Sequence, residues 1–323
     1  MTDVDRRTLL GAAVVTSALR GPVIESVAPA DPSEVLPLWP NGAPGGDGVR
    51  VVEQVTERST DPAYRDRFAV GITDPSLTVV RPERPNGASL LLIPGGGYRL
   101  VTVDIEGLDI ARVFAAAGVT CYVLRYRLPS DGWAAGPDAP LQDAQRALRL
   151  VRARAVVEGL DPSRVAVLGA SAGGHLTGLL ATRTDPTYDA VDHADAQPHR
   201  PDLTFLMYPV VALDGAAANT GSRRHLLGET PTAQTVTAYS MQRADWSGAA
   251  PVMLVHAMDD RAVPVENSLL LLAALRAAGV PAEAHLFQEG GHGFGVRKAA
   301  GMPAETWPAL AMAWGKRHGW LVD

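Results

Sequence analysis

The sequence predicts an α/β protein, a three-layer αβα sandwich around a mostly parallel central sheet, with N-terminal antiparallel strands and a small cap insertion. Three observations carry this prediction. Apolar runs without polar alternation are joined by helical segments, which is typical of parallel strands covered on both faces. The segment from Asp31 to Pro85 is instead rich in proline, glycine and short β-like runs. The strand–helix rhythm is interrupted once, at 213–250, by a polar stretch too short for a domain.

The individual elements follow in chain order. The runs predicted as antiparallel edge strands are VRVVEQVTE, RFAVGI and LTVVRP. The later runs, predicted as strands of the parallel sheet, are ASLLLIPGG, VTCYVLRYRL, RVAVLGAS, LTFLMYPVV, PVMLVHAMD and AEAHLFQ. The predicted helices are Glu106 to Ala117 (ended by Gly118), 140–158, AGGHLTGLLATR, Val265 to Ala278 and Ala304 to His318. In 140–158 the apolar residues recur at steps of three and four, which gives the helix one apolar stripe.

Composition restricts the classes of function. The chain has 323 residues, a length that can bury a large core and fits one enlarged α/β domain as well as two domains, and its formal net charge is −6. This negative charge argues against nucleic acid or an anionic membrane as the main partner. Cys121 is the only cysteine, so an internal disulfide and a thiolate metal cluster are both excluded, and we expect a buried, inert thiol. The histidines show no metal-binding spacing, so neither a metal nor another cofactor is expected.

Residues 1–30 have the pattern of a targeting signal. Arg6 and Arg7 form a twin arginine, and the apolar run that follows is shorter than the ~20 residues needed to span a bilayer. The small residues APA at 28–30 fit a cleavage site after Ala30. We therefore expect a twin-arginine signal peptide, export to the periplasm or the cell exterior, and a single catalytic domain at 31–323. A frayed N-terminus on a cytoplasmic protein is the alternative.

The strongest local motif is VAVLGASAGG, in which Gly169, Ser171 and Gly173 form the pattern G-x-S-x-G. It lies where a predicted strand meets a predicted helix, and a serine on such a tight turn stands above the sheet with its hydroxyl exposed. The context predicts a nucleophilic serine. The structural alternative is a small-residue helix start in which Ser171 is only an N-cap.

A nucleophilic serine needs a base, and the base needs an acid to orient it. His292 lies in the glycine-rich loop GGHGFG, which can curl over the serine, whereas a solvated loop histidine is the alternative. Asp259 and Asp260 follow a predicted strand, at the sheet edge where ligands bind in open α/β folds. Adjacent carboxylates point different ways, so only one can reach the imidazole, and the other can cap the turn or pair with Arg261.

The stretch IPGGGYRL, residues 93–100, puts three glycines directly after a predicted strand. Glycine lets the backbone approach a substrate with no side chain in between. We assign the amides of Gly96 and Gly97, together with the amide of Ala172, as donors to an oxyanion. A plain turn is the alternative, although a turn needs only one or two glycines.

These motifs resemble the α/β-hydrolase superfamily, and within it the bacterial acetyl esterase/lipase group related to hormone-sensitive lipase. The chain is similar to acetylxylan or feruloyl esterase-like enzymes over nearly its whole length after the signal. The stretches that carry the resemblance are LWPNGAPG, PGGGYRLVTVDIEG, VLRYRLP, LQDAQRALRLVRARA, DPSRVAVLGASAGGHL, LMYPVV, DDRAVPVENSLLLLAALRAAGVPAEAHLF and GGHGFG.

The resemblance implies a triad of Ser171, Asp260 and His292. In the similar loop of serine esterases the acid stands four residues after a histidine, which here is His256, and this favours Asp260 over Asp259. Pro94 occupies the position of a histidine in the hormone-sensitive-lipase pattern, which argues against that group's long-chain substrates.

The resemblance therefore implies a serine carboxylic ester hydrolase that cleaves short acyl esters, acetyl above all, on a carbohydrate such as xylan oligosaccharides. The expected partner is a small-molecule or oligosaccharide ester, with no nucleic acid and no stable membrane insertion. A serine peptidase and a non-catalytic hydrolase-like binding protein are the alternatives. Side chains considered for the pocket wall, and equally for packing, are Trp133, Tyr98, Arg99 and Trp246.

Overall fold

The computed structural model describes residues 28–322, so nearly all of the predicted signal peptide lies outside the described residues. The strands are β1 (Val35–Pro37), β2 (Gln54–Glu57), β3 (Arg67–Val70), β4 (Ser76–Val80), β5 (Ser89–Ile93), β6 (Val101–Thr102), β7 (Thr120–Arg125), β8 (Val165–Ala170), β9 (Leu203–Met207), β10 (Val252–Ala257) and β11 (Ala282–Phe287). The α-helices are α1 (Asp109–Ala116), α2 (Ala139–Glu158), α3 (Ala172–Thr182), α4 (Thr220–Leu227), α5 (Ala233–Tyr239), α6 (Glu266–Ala277) and α7 (Trp307–Arg317).

The central sheet has eight strands in the order β1-β4-β7-β5-β8-β9-β10-β11. The strands from β7 to β11 in this order are parallel, whereas β4 runs antiparallel to β7 and β1 antiparallel to β4. The six runs predicted as parallel strands thus form β5, β7, β8, β9, β10 and β11, which lie next to one another and run parallel. This arrangement confirms the predicted mostly parallel sheet with antiparallel N-terminal strands at its edge.

The strands β2 and β3 differ from the prediction, because they leave the main sheet and pair with β6 in a second, three-stranded antiparallel sheet. Only two residues of β6 contribute, with Val101 opposite Ala69 and Thr102 opposite Phe68. A two-residue strand directly after the glycine run leaves no periodic signal in the sequence. The pairing is therefore a product of the tertiary fold.

Helices cover both faces of the sheet and complete the three layers. The aromatic side chains of α1 and α7, with Phe114 and Trp307 fully buried, pack on one face. On the other face α2 and α3 bury Leu148 and Leu176, and α6 packs beside them. None of the helices within 28–322 combines the length and the apolar character needed to cross a bilayer.

Two predicted helices begin with a different kind of turn. The one predicted from Glu106 opens with a π-helical turn at Asp104–Leu108 before α1, and it ends as expected near Gly118, whose φ is +90°. The last predicted helix opens with a 3-10 turn at Pro303–Thr306 before α7. Helix termini commonly use such turns to satisfy backbone groups that lack a partner within the helix.

The register between strands brings distant loops together at the carboxyl edge of the sheet. Ile93, the last residue of β5, pairs with Gly169 of β8, so the glycine run leaves the sheet beside Ser171. Ala257 of β10 pairs with Phe287 of β11, so the loops that carry Asp260 and His292 also leave it side by side. The segment 213–250, which contains α4 and α5, follows β9 between these two pairs of loops.

Candidate active site

Ser171 lies between the end of β8 and the start of α3, with φ +55° and ψ −120°. A positive φ is strained for a residue with a side chain, and surrounding contacts must hold it. A Cβ at Gly169 would come within 2.4 Å of the Gly173 carbonyl oxygen, and one at Gly173 within 2.0 Å of the Ile93 carbonyl oxygen. Gly169 is therefore required by the close approach of α3 to the end of β8, and Gly173 by the close packing of α3 against the end of β5.

The serine hydroxyl forms a relay with the predicted base and acid. The Oγ atom of Ser171 is 2.9 Å from Nε2 of His292, and Nδ1 of His292 is 2.6 Å from Oδ2 of Asp260. Because an ionised carboxylate only accepts hydrogen bonds, the proton of the imidazole resides on Nδ1. Nε2 is then free to accept the proton of the serine hydroxyl.

The two adjacent aspartates point in different directions. The Oδ1 atom of Asp260 accepts from the amides of Ala262 and Val263 at 2.9 and 2.8 Å, which leaves Oδ2 for the imidazole. Asp259 is exposed, and its Oδ1 accepts from the amide of Gly291 at 2.8 Å. Asp260 therefore contacts His292 directly, whereas Asp259 holds the loop that carries it.

His256, the histidine four residues before Asp260, is fully buried against the acid. Its Nε2 lies 2.9 Å from the Val263 carbonyl and 3.2 Å from Oδ2 of Asp260, and its Nδ1 lies 2.7 Å from Oγ of Ser268. Since the carbonyl can only accept, Nε2 carries the proton and donates. Burial raises the pKa of Asp260, but the hydrogen bonds from His256 and His292 outweigh it and hold that pKa well below its ordinary value.

The three predicted oxyanion donors lie around Ser171. The backbone N–H groups of Gly96, Gly97 and Ala172 have no acceptor within residues 28–322. Gly96 and Gly97 adopt φ +132° and +65°, which residues with a Cβ rarely adopt. A Cβ at Gly95 would come within 2.8 Å of the Ser171 Cβ, so the loop passes directly over the serine.

Glu106 binds the backbone of the glycine run, a contact that the sequence did not predict. Its Oε2 atom accepts from the Gly95 amide and from the Thr102 hydroxyl, both at 2.9 Å, and the side chain is buried. The only signal in the sequence is its place in the stretch PGGGYRLVTVDIEG, which carried the resemblance. Eleven residues separate the glutamate from the amide that it fixes.

A chain of buried hydrogen bonds ties the same loop to α3 and to the segment 213–250. Tyr98 donates from its hydroxyl to Nδ1 of His175 at 2.7 Å, and Nε2 of His175 donates to the Tyr239 carbonyl at 2.7 Å. Burial lowers the pKa of His175 to about 4, so this imidazole is neutral near pH 7. His225 of α4 adds a second tie, since its Nδ1 donates to the Gly97 carbonyl at 3.1 Å.

The pocket above Ser171 has a volume of about 430 Å³. Its wall combines the glycine run, the loop of His292 and the first turns of α4. Of the four side chains considered for this wall, Arg99 lines the pocket, whereas Tyr98, Trp133 and Trp246 are buried packing residues. Sequence reasoning could not separate these two roles, because an aromatic residue has the same pattern in a core as at a pocket wall.

The chain is similar in sequence and in structure to hydrolases of one family. Residues 131–316 match the sequence model of the prolyl oligopeptidase family. The crystal structure of an acetyl ester-xyloside bifunctional hydrolase from Caldicellulosiruptor lactoaceticus superposes with a TM-score of 0.70 at 31% identity, covering 91% of this chain and 99% of that one.

Two curated relatives extend the similarity. The acetylxylan esterase of Xylanibacter ruminicola is 30% identical over 71% of this chain and 46% of its own length. The endo-1,4-beta-xylanase B of Butyrivibrio fibrisolvens is 34% identical over 64% of this chain and 32% of its own length. The chain thus spans less than half of the length of these relatives.

The two aspartates provide a matched pair of variants. We expect Asp260→Asn to slow the labelling of Ser171 by a fluorophosphonate probe by about 1,000-fold or more, because an amide does not hold the imidazole in the required tautomer. Asp259→Asn removes only a loop contact, and a loss of less than about tenfold is expected. Labelling rates at one pH measure both. Equal losses in the two variants would contradict the assignment.

His175 should make folding stability depend on pH. Its pKa is lowered from 6.5 to about 4 in the folded protein, so the unfolded chain binds a proton that the folded one does not between these values. The contribution of the neutral His175 to the free energy of unfolding is complete above pH 6.5. It declines as the pH falls towards 4, by about 3 kcal/mol in total. Denaturant unfolding across this window should show a shallower slope for His175→Asn. The exposed control His193→Asn should keep the slope of the unmodified protein.

Proposed function

The chain belongs to the prolyl oligopeptidase family of α/β-hydrolases, and from that membership we propose that it is a serine carboxylic ester hydrolase acting on short acyl esters. The observation that carries the proposal is the relay in which Ser171 Oγ lies 2.9 Å from His292 Nε2, and His292 Nδ1 lies 2.6 Å from Asp260 Oδ2. A strained serine beside free backbone amides completes the arrangement that acyl transfer requires.

In the proposed mechanism, His292 removes the proton from Ser171 while Oγ attacks the ester carbonyl carbon. The oxyanion of the tetrahedral intermediate accepts from the amides of Gly96, Gly97 and Ala172, and such donors are worth ~3–4 kcal/mol each. His292 then gives its proton to the leaving alcohol, and an acyl-serine remains. Water, activated by the same imidazole, releases the acid and restores the serine.

Asp260 acts on this cycle through the imidazole. Its carboxylate stays ionised because its pKa is held below the ordinary value, so it can stabilise the imidazolium that forms during attack. His256 contacts the same oxygen, Oδ2 of Asp260, as His292 does and so helps to position the carboxylate. This arrangement keeps one orientation of the imidazole through both half-reactions.

Acetyl esters on a carbohydrate, such as xylan oligosaccharides, are the proposed substrates. The support is the similarity to an acetylxylan esterase and to an acetyl ester-xyloside hydrolase, together with a pocket of about 430 Å³ over Ser171. The segment 213–250 contributes α4 as one wall, and it is small for the lid of a lipase. A short acyl group on a polar alcohol suits this space better than a long lipid chain.

A serine peptidase of the same fold is the second candidate, and the match to the prolyl oligopeptidase family favours it. The triad chemistry is the same for both, so the alcohol or amine that leaves must distinguish them. A panel of acyl esters against aminoacyl amides gives that distinction. Faster cleavage of the amides would favour the peptidase.

The first prediction from this proposal concerns the nucleophile. Ser171→Ala should lower the hydrolysis of p-nitrophenyl acetate by about 10,000-fold or more, because no acyl-enzyme can form without the hydroxyl. The control Ser247→Ala changes an exposed serine outside the pocket and should leave the rate unaltered. Retained hydrolysis in Ser171→Ala would end the proposal. Acetate released in parallel from acetylated xylan, acetylated pectin and simple sugar acetates would identify the alcohol.

We also propose that the chain is exported by the twin arginine of its signal, which lies outside the described residues. Arg6→Lys combined with Arg7→Lys should retain the protein in the cytoplasm, because the transport machinery reads the arginine pair itself. Cell fractionation of the native host, followed by esterase assays, measures the distribution. Finding the unmodified protein only in the cytoplasm would refute export.

A further inference from the structure

Two cationic side chains at the rim of the pocket have no anionic partner. Arg99 follows the glycine run by two residues, Lys298 follows His292 by six, and both are exposed and line the pocket. Neither side chain forms a hydrogen bond or an ion pair with any residue of 28–322. We call this pair the rim cations. They lie on two separate elements: Arg99 in the loop of residues 94–100 after β5, here called the oxyanion loop because of the donors assigned to it, and Lys298 in the segment that follows His292.

Few of the arginine and lysine side chains within 28–322 lack a hydrogen-bond or ion-pair partner. Most described arginines bind a carboxylate or a backbone carbonyl, as Arg58 and Arg67 do. Within 28–322, the arginine and lysine side chains without a partner are Arg84, Arg99, Arg261, Arg276, Lys298 and Arg317. Two of this small set line the pocket that contains Ser171.

The acidic residues of the same pocket are already occupied. Asp66 pairs with Arg58 at 2.6 Å, and Glu106 is buried and accepts from Gly95 and Thr102. Neither carboxylate forms an ion pair with Arg99 or Lys298. The rim keeps an excess of positive charge in a protein whose net charge is −6.

The first turn of α4 adds to the positive electrostatic potential at the rim of the pocket. Asn219, Gly221 and Ser222 line the pocket, and α4 begins at Thr220, so its positive N-terminal end faces the cavity. Among the residues of 28–322 that line the pocket, the aromatic rings are the imidazoles of His225 and His292, and none is a tryptophan or tyrosine that could stack on a sugar. Charged and hydrogen-bonding groups are therefore the features of this wall that can select a polar alcohol or a charged substituent.

We propose that the rim cations bind a carboxylate carried by the ester substrate, so that the preferred substrates are acyl esters of acidic molecules. The proposal rests on the ester hydrolase function above and names the substrate class of the same site. An arginine offers a planar fork to a carboxylate and a lysine a mobile point charge, which together suit one anionic group. An acetylated sugar acid is the carbohydrate that combines this group with the proposed acetyl ester.

The carboxylate can reside on either side of the scissile bond, and matched substrates distinguish the two positions. On the alcohol side, para-acetoxybenzoate is compared with its methyl ester. On the acyl side, p-nitrophenyl hemiglutarate is compared with p-nitrophenyl butyrate. In each pair the measured quantity is the ratio of kcat/KM for the anionic ester to that for the neutral ester.

We expect at least one ratio to fall roughly tenfold in the variant that combines Arg99→Gln and Lys298→Gln, because charge-assisted hydrogen bonds are lost. The control Arg276→Gln removes an unpartnered cation from α6, outside the pocket, and should keep the ratio. Raising the ionic strength from about 0.02 M to about 0.5 M should lower the ratio of the unmodified enzyme but not that of the double variant.

Ratios that stay unchanged in the double variant, on both sides of the bond, would overturn the proposal. Failure of the ester hydrolase function itself is recognised separately, because neutral and anionic esters would then both resist hydrolysis. In that case calorimetry on Ser171→Ala still decides the inference. Tighter binding of para-acetoxybenzoate than of its methyl ester, or of p-nitrophenyl hemiglutarate than of p-nitrophenyl butyrate, supports it if adding the two glutamine substitutions abolishes the difference. Equal binding within both pairs refutes it.

Discussion

The close contact between the turn at Ser171 and the end of β5 is the constraint on which the site depends. Gly173 lies so near the Ile93 carbonyl that no Cβ fits, and Gly169 is equally close to Gly173. This contact holds Ser171 at a positive φ, from which its hydroxyl meets His292. It also places the oxyanion loop, which continues from β5, directly over the serine. One packing contact thus sets the positions of the nucleophile and of its proposed electrostatic partners.

The oxyanion loop is held from three directions by polar contacts rather than by packing alone. Glu106 fixes the Gly95 amide, the Tyr98 hydroxyl reaches His175, and His225 donates to the Gly97 carbonyl. Each partner comes from a different element, and His225 comes from the segment 213–250. Backbone amides can act as preorganised donors only if the loop does not move during the reaction. The segment therefore supports the loop in addition to lining the pocket.

The carboxylate of Asp260 is likewise held in place by several polar contacts. Asp260 receives hydrogen bonds from two backbone amides, from His256 and from His292, so its charge is stabilised although the side chain is buried. A buried carboxylate without these donors would take up a proton and lose its hold on the imidazole. Asp259, one residue away, serves the His292 loop instead. Neighbouring carboxylates acquire different roles because the backbone turns between them.

The sequence by itself determined the six parallel strands, the helices α1, α2, α3, α6 and α7, and the turn at Ser171, because these depend on local periodicity and on glycine spacing. It predicted His292 as the base and Asp259 or Asp260 as the acid, and the resemblance to serine esterases favoured Asp260. Only the tertiary structure decided which carboxylate faces the imidazole, since that depends on side-chain direction within one turn. The pairing of β2 and β3 with β6, the support from Glu106, and the burial of Trp133 and Trp246 were likewise decided by contacts between distant elements. Such contacts leave no local pattern, because their partners are brought together only when the chain folds.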